Sequence, residues 1–101
     1  MRRYTTPKHI YNLPFSTSLI DKLRIVYAQN ETIILSKEVT ECQLEDNTVT
    51  LTLTQEETAL FDCKKQFTEI QMHILTTSGQ SLVSRPLKVS VEKCLDEGVL
   101  E

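Results

Sequence analysis

Tryptophan is absent from this chain of 101 residues, and glycine is scarce, with two copies against three of proline. A phosphate-cradling loop needs several glycines close together, and Gly79 and Gly98 stand far apart. We therefore do not expect a nucleotide-binding enzyme. The aromatic content is also low, at three Tyr and three Phe, which disfavours a carbohydrate site built on exposed aromatic platforms.

Cysteine and histidine are too few and too widely spaced to predict a metal site or a cofactor. Cys42, Cys63 and Cys94 form no Cys-x-x-Cys pair, so neither a zinc ribbon nor a redox motif is present. His9 and His73 have no second His or Cys at the close spacing of zinc ligands. A reducing cytoplasm is the simplest context, although one disulfide plus a free thiol stays open for a molecule that leaves the cell.

Long apolar runs are missing as well. A basic pair, Arg2 and Arg3, opens the chain, but polar residues follow where a signal peptide would have an apolar stretch of about 7 to 15 residues. The longest wholly aliphatic run, 33–35, is far shorter than the roughly 20 residues of a membrane helix. The formal net charge of −3 is too small to favour nucleic acid as a partner. We expect a soluble protein.

Polar and apolar residues alternate without exception over 48–54, where threonines alternate with Val49, Leu51 and Leu53. This alternation is typical of a β-strand. Successive side chains of a strand point to opposite faces, so we predict an apolar face toward a core and a solvated threonine face. Thr54 and Glu57 then form a capping-box pattern, which predicts the start of a helix. A threonine row can also order water or offer an edge for strand addition, but one row alone favours a solvated face.

Alternation and turn signals predict further strands. They cover 9–15, 23–28, 32–36, 39–44, 67–76, 80–84 and 87–91. Turns are expected at 29–31, 45–47 and 78–79, where Asn, Asp or Gly tolerates a positive φ. In the last strand, Leu87, Val89 and Val91 are predicted to face inward.

Seven to eight short strands with one short helix near 55–61 predict an all-β fold, a single antiparallel β-sandwich of immunoglobulin-like type. A parallel sheet would need several crossover helices, for which the chain has no room. A small β-barrel stays open as an alternative, because closure depends on pairing between distant strands. We expect one domain over 1–101, with a basic N-terminal arm at 1–7 and an acidic C-terminal tail at 95–101.

One cysteine could carry chemistry. Cys63 is followed by Lys64 and Lys65, which would favour a reactive thiolate, so a small thiol-dependent enzyme using Cys63 is an alternative function. No glycine-rich oxyanion loop and no identifiable base accompany this thiol. His9 and His73 are both expected on the surface, and no catalytic residue is predicted.

The two ends of the chain carry opposite charge and apolar side chains. The residues that we expect to bind a partner lie there: Arg2, Arg3, Tyr4, Leu95, Val99 and Leu100. Complementary charge would guide a head-to-tail contact between copies, with the leucines as apolar anchors, and would give a ring or a filament.

Six short segments, spread over nearly the whole chain, carry a resemblance to known proteins. They are Leu-Pro-Phe at 13–15, Ser-Leu-Ile at 18–20, Ile-Val-Tyr-Ala-Gln at 25–29, Leu-Thr-Leu-Thr-Gln-Glu at 51–56, Phe-Asp-Cys-Lys-Lys at 61–65 and Lys-Cys-Leu-Asp at 93–96. Together they resemble a family of small uncharacterised proteins encoded by phages and prophages of Gram-positive bacteria. The resemblance implies a sandwich similar to the immunoglobulin-like domains of phage baseplate and head-decoration proteins.

No catalytic or ligand residues come with this resemblance. It implies a non-enzymatic structural or protein-binding component of a phage particle or prophage module, in the tail, in the baseplate or associated with the head. Its partners would be proteins, either further copies of the chain or other virion proteins, with no nucleic acid, membrane or small molecule. The protein would be made in the bacterial host cytoplasm and would then enter the virion. A host-surface or carbohydrate-binding adhesin domain is the other alternative.

Overall fold

The structure is a computed structural model that describes residues 1–62, 64, 67–84 and 86–91. These residues form eight strands, two 3-10 turns and one helical turn. The strands are β1 (Lys8–Asn12), β2 (Ile20–Gln29), β3 (Thr32–Glu38), β4 (Gln43–Glu45), β5 (Thr48–Thr52), β6 (Thr68–Thr76), β7 (Ser81–Val83) and β8 (Leu87–Val89). The helix α1 is Gln55–Thr58, and the 3-10 turns are Thr17–Leu19 and Val39–Glu41.

The strands build two antiparallel sheets that pack face to face, which confirms the predicted sandwich. The small sheet has three strands in the order β1-β5-β4. The large sheet has the order β3-β2-β6, and β7 and β8 both pair with the far side of β6. Constant-type immunoglobulin domains place their second and third strands in different sheets, whereas β2 and β3 form a hairpin within the large sheet here.

Strand β5 confirms the alternation of the sequence. Val49, Leu51 and Leu53 are fully buried, and Thr52 and Thr54 are exposed. Because β5 lies between β1 and β4 in the small sheet, its backbone pairs with β1 along its whole length and with β4 over 48–50. The threonine row is therefore a solvated face of a central strand.

The predicted capping box is present at the start of α1. The Glu57 amide donates to Thr54 Oγ1 at 3.2 Å, and the Thr54 amide donates to Glu57 Oε1 at 2.9 Å. The helix is shorter than predicted and ends at Thr58 rather than near Phe61. Two tertiary contacts explain the early end, because the Thr58 hydroxyl donates to the Thr5 carbonyl at 3.0 Å and the Phe61 side chain is fully buried in the core.

The core lies between the sheets and draws mainly on the two long central strands of the large sheet. Its buried apolar residues are Leu23, Ile25, Tyr27, Val49, Leu51, Leu53, Phe61, Ile70, Met72, Ile74 and Val91. The hairpin turn after β2 has positive φ at Asn30 (48°) and Glu31 (65°), as the sequence predicted for Asn30.

Several predicted strand bounds shift by one to three residues, and the differences in two segments have a clear local cause. The predicted strand at 39–44 is a 3-10 turn followed by the three residues of β4, because the Glu41 carboxylate accepts from the Glu38 amide at 3.1 Å and caps the turn. Strand β1 ends at Asn12 rather than at residue 15, since the Leu13 amide donates to the Asn47 carbonyl in a loop at 2.8 Å.

The two faces of β5 predict different costs of truncation. Leu51→Ala removes a fully buried side chain, and we expect the free energy of unfolding to fall by about 2 to 5 kcal/mol. Thr52→Ala, the adjacent residue on the exposed face, should change it by less than about 1 kcal/mol. Urea denaturation followed by circular dichroism measures both; equal losses would contradict the assignment of the faces.

Candidate functional site

A polar cluster joins the two sheets at the centre of the sandwich. His9 and Tyr11, on β1 of the small sheet, both reach Tyr27 on β2 of the large sheet. The distance from His9 Nδ1 to the Tyr27 hydroxyl is 2.6 Å, and that between the Tyr11 and Tyr27 hydroxyls is 3.1 Å. The His9 ring also stacks on the Tyr27 ring, with 5.7 Å between centroids and 24° between planes. Tyr27 is fully buried, so these contacts satisfy a hydroxyl that water cannot reach.

Burial keeps the cluster neutral. It lowers the pKa of His9, with a smaller contribution from repulsion by the N-terminal ammonium group. Burial raises the pKa of Tyr27, and the hydrogen bond with Tyr11 adds to this. A consistent arrangement has the Tyr27 hydroxyl donating to Nδ1 of neutral His9 and accepting from the Tyr11 hydroxyl. Such a chain of neutral groups ties sheets together and supplies neither a nucleophile nor a charged acid.

His9 was expected on the surface, and the structure corrects this, since His9 faces the interior. The sequence contained a signal for this position, because His9 has the same strand parity as the apolar residues Tyr11 and Leu13. His73 is on the outer face as predicted, with Nε2 at 2.7 Å from the Ser81 hydroxyl.

The described cysteine has the properties of a structural thiol. Cys42 is half-buried, and its Sγ donates to the Glu38 carbonyl at 3.5 Å. Burial raises the pKa of Cys42, followed in size by the effect of the nearby Glu41 carboxylate, so the thiol form dominates at neutral pH. Cys63, the candidate nucleophile, lies outside the described residues, as does Cys94.

A second cluster, made of charged side chains, lies at the edge of the sandwich formed by β3. Lys37 lies on β3, an edge strand, yet its side chain is only 14% exposed and points inward. It forms ion pairs with Glu57 on α1 and with Glu41 Oε2, the latter at 3.0 Å. Partial burial opposes ionisation of Glu57, but the hydrogen bonds from Lys37 and from the Thr54 amide bring its pKa below the ordinary value. The group therefore clamps β3 to α1.

An apolar groove opens on the other side of the sandwich, away from β3 and next to β8. It encloses about 470 Å³ and is lined by Ile10, Tyr11, Asn12, Leu13, Ile70, Met72, Ser84 and Leu87. One wall is β1 and the residue after it, at the edge of the small sheet. The other wall is β6 together with Ser84, which follows β7, and Leu87 on β8.

The groove exists because the sheets differ in width. The large sheet is four strand positions wide, since β7 and β8 share one position beside β6, and the small sheet has three strands. Leu87 pairs with Ile70, which pairs with the buried Tyr27, so Leu87 was correctly placed on the inner face. No strand of the small sheet covers it within the described residues, and Leu87 is 54% exposed.

The predicted partner-binding residues of the N-terminus pack against the body of the domain. The N-terminal amino group donates to the Ser90 carbonyl at 2.9 Å, and Arg3 Nη2 donates to the Ala59 carbonyl at 3.0 Å. The Arg3 guanidinium also lies over the Tyr4 ring, 5.2 Å from its centroid. Arg2 is exposed at the same end.

The predicted partner-binding residues of the tail, Leu95, Val99 and Leu100, lie outside the described residues. The head-to-tail contact stays a prediction.

Among residues 1–62, 64, 67–84 and 86–91, no three or more His, Cys, Asp and Glu side chains come together as a metal would require. No helix in this part is both long and apolar enough to span a membrane.

The burial of His9 predicts that acid destabilises the fold. The unfolded chain binds a proton at His9 near the ordinary pKa of about 6.5, and the folded chain does so only at lower pH. The free energy of unfolding should therefore decrease as pH falls from 7.5 to 5.5. Glu41 and Glu57, whose pKa values are lowered, lose their contribution in a lower window, near and below pH ~4.3.

Urea denaturation at a series of pH values measures this dependence. His9→Gln keeps a hydrogen-bonding side chain beside Tyr27 and removes the group that binds the proton. The free energy of unfolding of this variant should therefore depend less on pH between 7.5 and 5.5 than that of the unmodified chain. His73→Gln, on the outer face, is the matched control and should keep the slope. Identical slopes for all three proteins would contradict the role of His9.

None of the protein families, curated proteins or solved structures compared with the chain matches it.

Proposed function

We propose that this chain is a non-enzymatic, protein-binding structural component of a phage particle or prophage module, in the tail, in the baseplate or associated with the head. The observation that carries the binding part is the open apolar groove beside β1. The phage part is carried by the resemblance of the six sequence segments. The protein would be synthesised in the cytoplasm of the bacterial host and would then enter the virion.

The chemistry of the groove suits a protein partner. Its walls present Ile70, Met72 and Leu87, and the outer edge of β1 pairs with no strand in the described part of the chain. Partners that add a strand to a sheet edge use backbone hydrogen bonds for affinity and alternate side chains for specificity. A groove that combines apolar contacts with an unpaired strand edge offers both.

The polar groups elsewhere are engaged in holding the fold. Tyr27 is bonded to His9 and Tyr11, and Lys37 is paired with Glu57 and Glu41. These contacts leave the clusters with structural roles. They support a protein that acts through its surface rather than through a reaction.

Particle composition tests the proposal. Phage particles purified from an induced lysogen that carries the gene should contain the chain at a stoichiometric level by quantitative mass spectrometry, with a host cytoplasmic enzyme as the contamination control. Deletion of the gene should reduce the yield of complete particles. Recovery of the chain only in the soluble lysate, with a normal particle yield from the deletion, would overturn the proposal.

Complementation of the deletion tests the groove itself. Leu87→Asp places a charge among apolar side chains. The particle yield with this variant should stay at least tenfold below the yield with the unmodified gene. Ile33→Asp is the matched control, because Ile33 is 63% exposed on β3, at the far edge of the large sheet, and it should restore the yield. Circular dichroism of both purified variants separates loss of binding from loss of folding. Full restoration by Leu87→Asp would exclude the groove as the binding surface.

A further inference from the structure

Strand β1 is attached to the rest of the sandwich with little burial. Its five residues alternate between exposed and half-buried positions and none is buried, in contrast to β2, β5 and β6. Within the described residues it pairs with β5 alone. Its hydrogen bonds to the large sheet are those of His9 and Tyr11 with the Tyr27 hydroxyl. Elements with few buried contacts are those that open locally while the rest of a domain stays folded.

A proton on His9 reverses the hydrogen bond that joins β1 to Tyr27. In the neutral cluster the Tyr27 hydroxyl donates to Nδ1 of His9, 2.6 Å away. In the imidazolium form Nδ1 carries a hydrogen, so the Tyr27 hydroxyl has to accept from it and turn its own hydrogen toward Tyr11. The Tyr11 hydroxyl then loses its acceptor, because Tyr27 is its one hydrogen-bond partner among the described residues.

The groups around the cluster do not compensate a positive charge on His9. The N-terminal ammonium group repels such a charge. The charged or titratable groups near Tyr27, apart from Tyr11, are the Cys42 thiol, which is neutral at pH 7, and the Glu57 carboxylate. Glu57 is already paired with Lys37. No carboxylate of the described residues bonds to the His9 ring, so the imidazolium is better accommodated in water than beside Tyr27.

We propose that protonation of His9 releases β1 from β5 and from Tyr27 while the rest of the sandwich stays folded. Because Ile10, Tyr11 and Asn12 line the groove, this release removes one of its walls. The groove is then complete at neutral pH and is dismantled in mildly acidic solution. The inference rests on the proposed function for the role of the groove, whereas the release itself is a property of the fold.

The hydrogen bonds between β1 and β5 show which amides report the release. The Leu53 amide donates to the Pro7 carbonyl at 3.0 Å, and the Leu13 amide donates to the Asn47 carbonyl at 2.8 Å. Hydrogen-bonded and non-hydrogen-bonded pairs alternate in an antiparallel ladder, and the register of β1 with β5 continues between these two bonds. The amides of Leu51 and Leu53 therefore face β1 and are protected only while β1 is in place.

Native-state hydrogen exchange of the full chain, followed by NMR at low concentrations of urea, tests the proposal. The Leu51 and Leu53 amides should exchange with a lower free energy than the amides of β2 and with a smaller dependence on urea, because local opening exposes little surface. Their equilibrium constant for opening should rise about tenfold between pH 7 and pH 5, since the opened His9 binds a proton near the ordinary pKa of about 6.5. Exchange of these amides only with the free energy and the urea dependence of β2 would overturn the proposal.

Two histidine variants assign the effect of pH. His9→Gln cannot take up the proton, so the opening constants of the Leu51 and Leu53 amides should be equal at pH 7 and pH 5 after correction for intrinsic exchange rates. His73→Gln, on the outer face, is the matched control and should keep the rise of about tenfold. A rise of the same size in His9→Gln would assign it to another group and contradict the proposal.

A disulfide between β1 and β5 gives a test that leaves His9 unchanged. Ile10 and Thr50 are opposite each other and form a non-hydrogen-bonded pair, in which side chains lie close together. In a background with the three native cysteines replaced by serine, Ile10→Cys with Thr50→Cys should form this disulfide on mild oxidation. The oxidised form should keep the Leu51 and Leu53 amides protected at pH 5, and reduction should restore their local exchange. Equal exchange in the two forms would exclude release of β1.

These results separate the inference from the proposed function. If β1 opens only when the whole domain unfolds, the inference fails and particle incorporation still stands. If β1 is released locally in a chain that is absent from particles, the virion role fails and the release still stands.

Discussion

The fold depends on the burial of one polar aromatic side chain, Tyr27. Its ring packs 5.8 Å from the ring of Phe61 and lies in the middle of the core, yet its hydroxyl needs a partner in a place without water. An unsatisfied buried hydroxyl costs about 1 to 3 kcal/mol, a large share of the stability of a domain of this size. His9 and Tyr11 supply the partners from the other sheet, and this requirement fixes β1 above β2. A shift of β1 by one residue would turn both side chains to the outside.

The same constraint explains why one side of the sandwich is open. Strand β1 is held over Tyr27, so it cannot also cover the inner face of β7 and β8, and the three-stranded sheet has no further strand to do so within the described residues. The opposite side is closed by Lys37 and its two carboxylate partners. The position of β1 therefore explains both the closed side at β3 and the open groove on the other side.

The sequence predicted local structure well and the groove poorly, for a physical reason. The alternation around Leu51 and the capping box at Thr54 depend on neighbours in the chain, and both are present in the structure. The inward position of His9 could also have been predicted from its parity with Tyr11. By contrast, Leu87 lies on the predicted face but stays exposed, because its burial depends on how many strands the other sheet has. No local pattern contains that number.

The edges of the two sheets differ in how they are protected, and the difference points to β1. Exposed strand edges invite pairing with other chains, and proteins block them with inward charges, short strands, proline or bulges. Edge strand β3 has the inward Lys37, edge strand β4 has three residues, and the edge formed by β7 and β8 is interrupted near Pro86. Strand β1 has one charge, Lys8, at its first residue, and from 9 to 12 it has neither a charge nor a proline. Since the other edges are blocked and this one borders an apolar groove, a strand-adding partner meets the least resistance at β1.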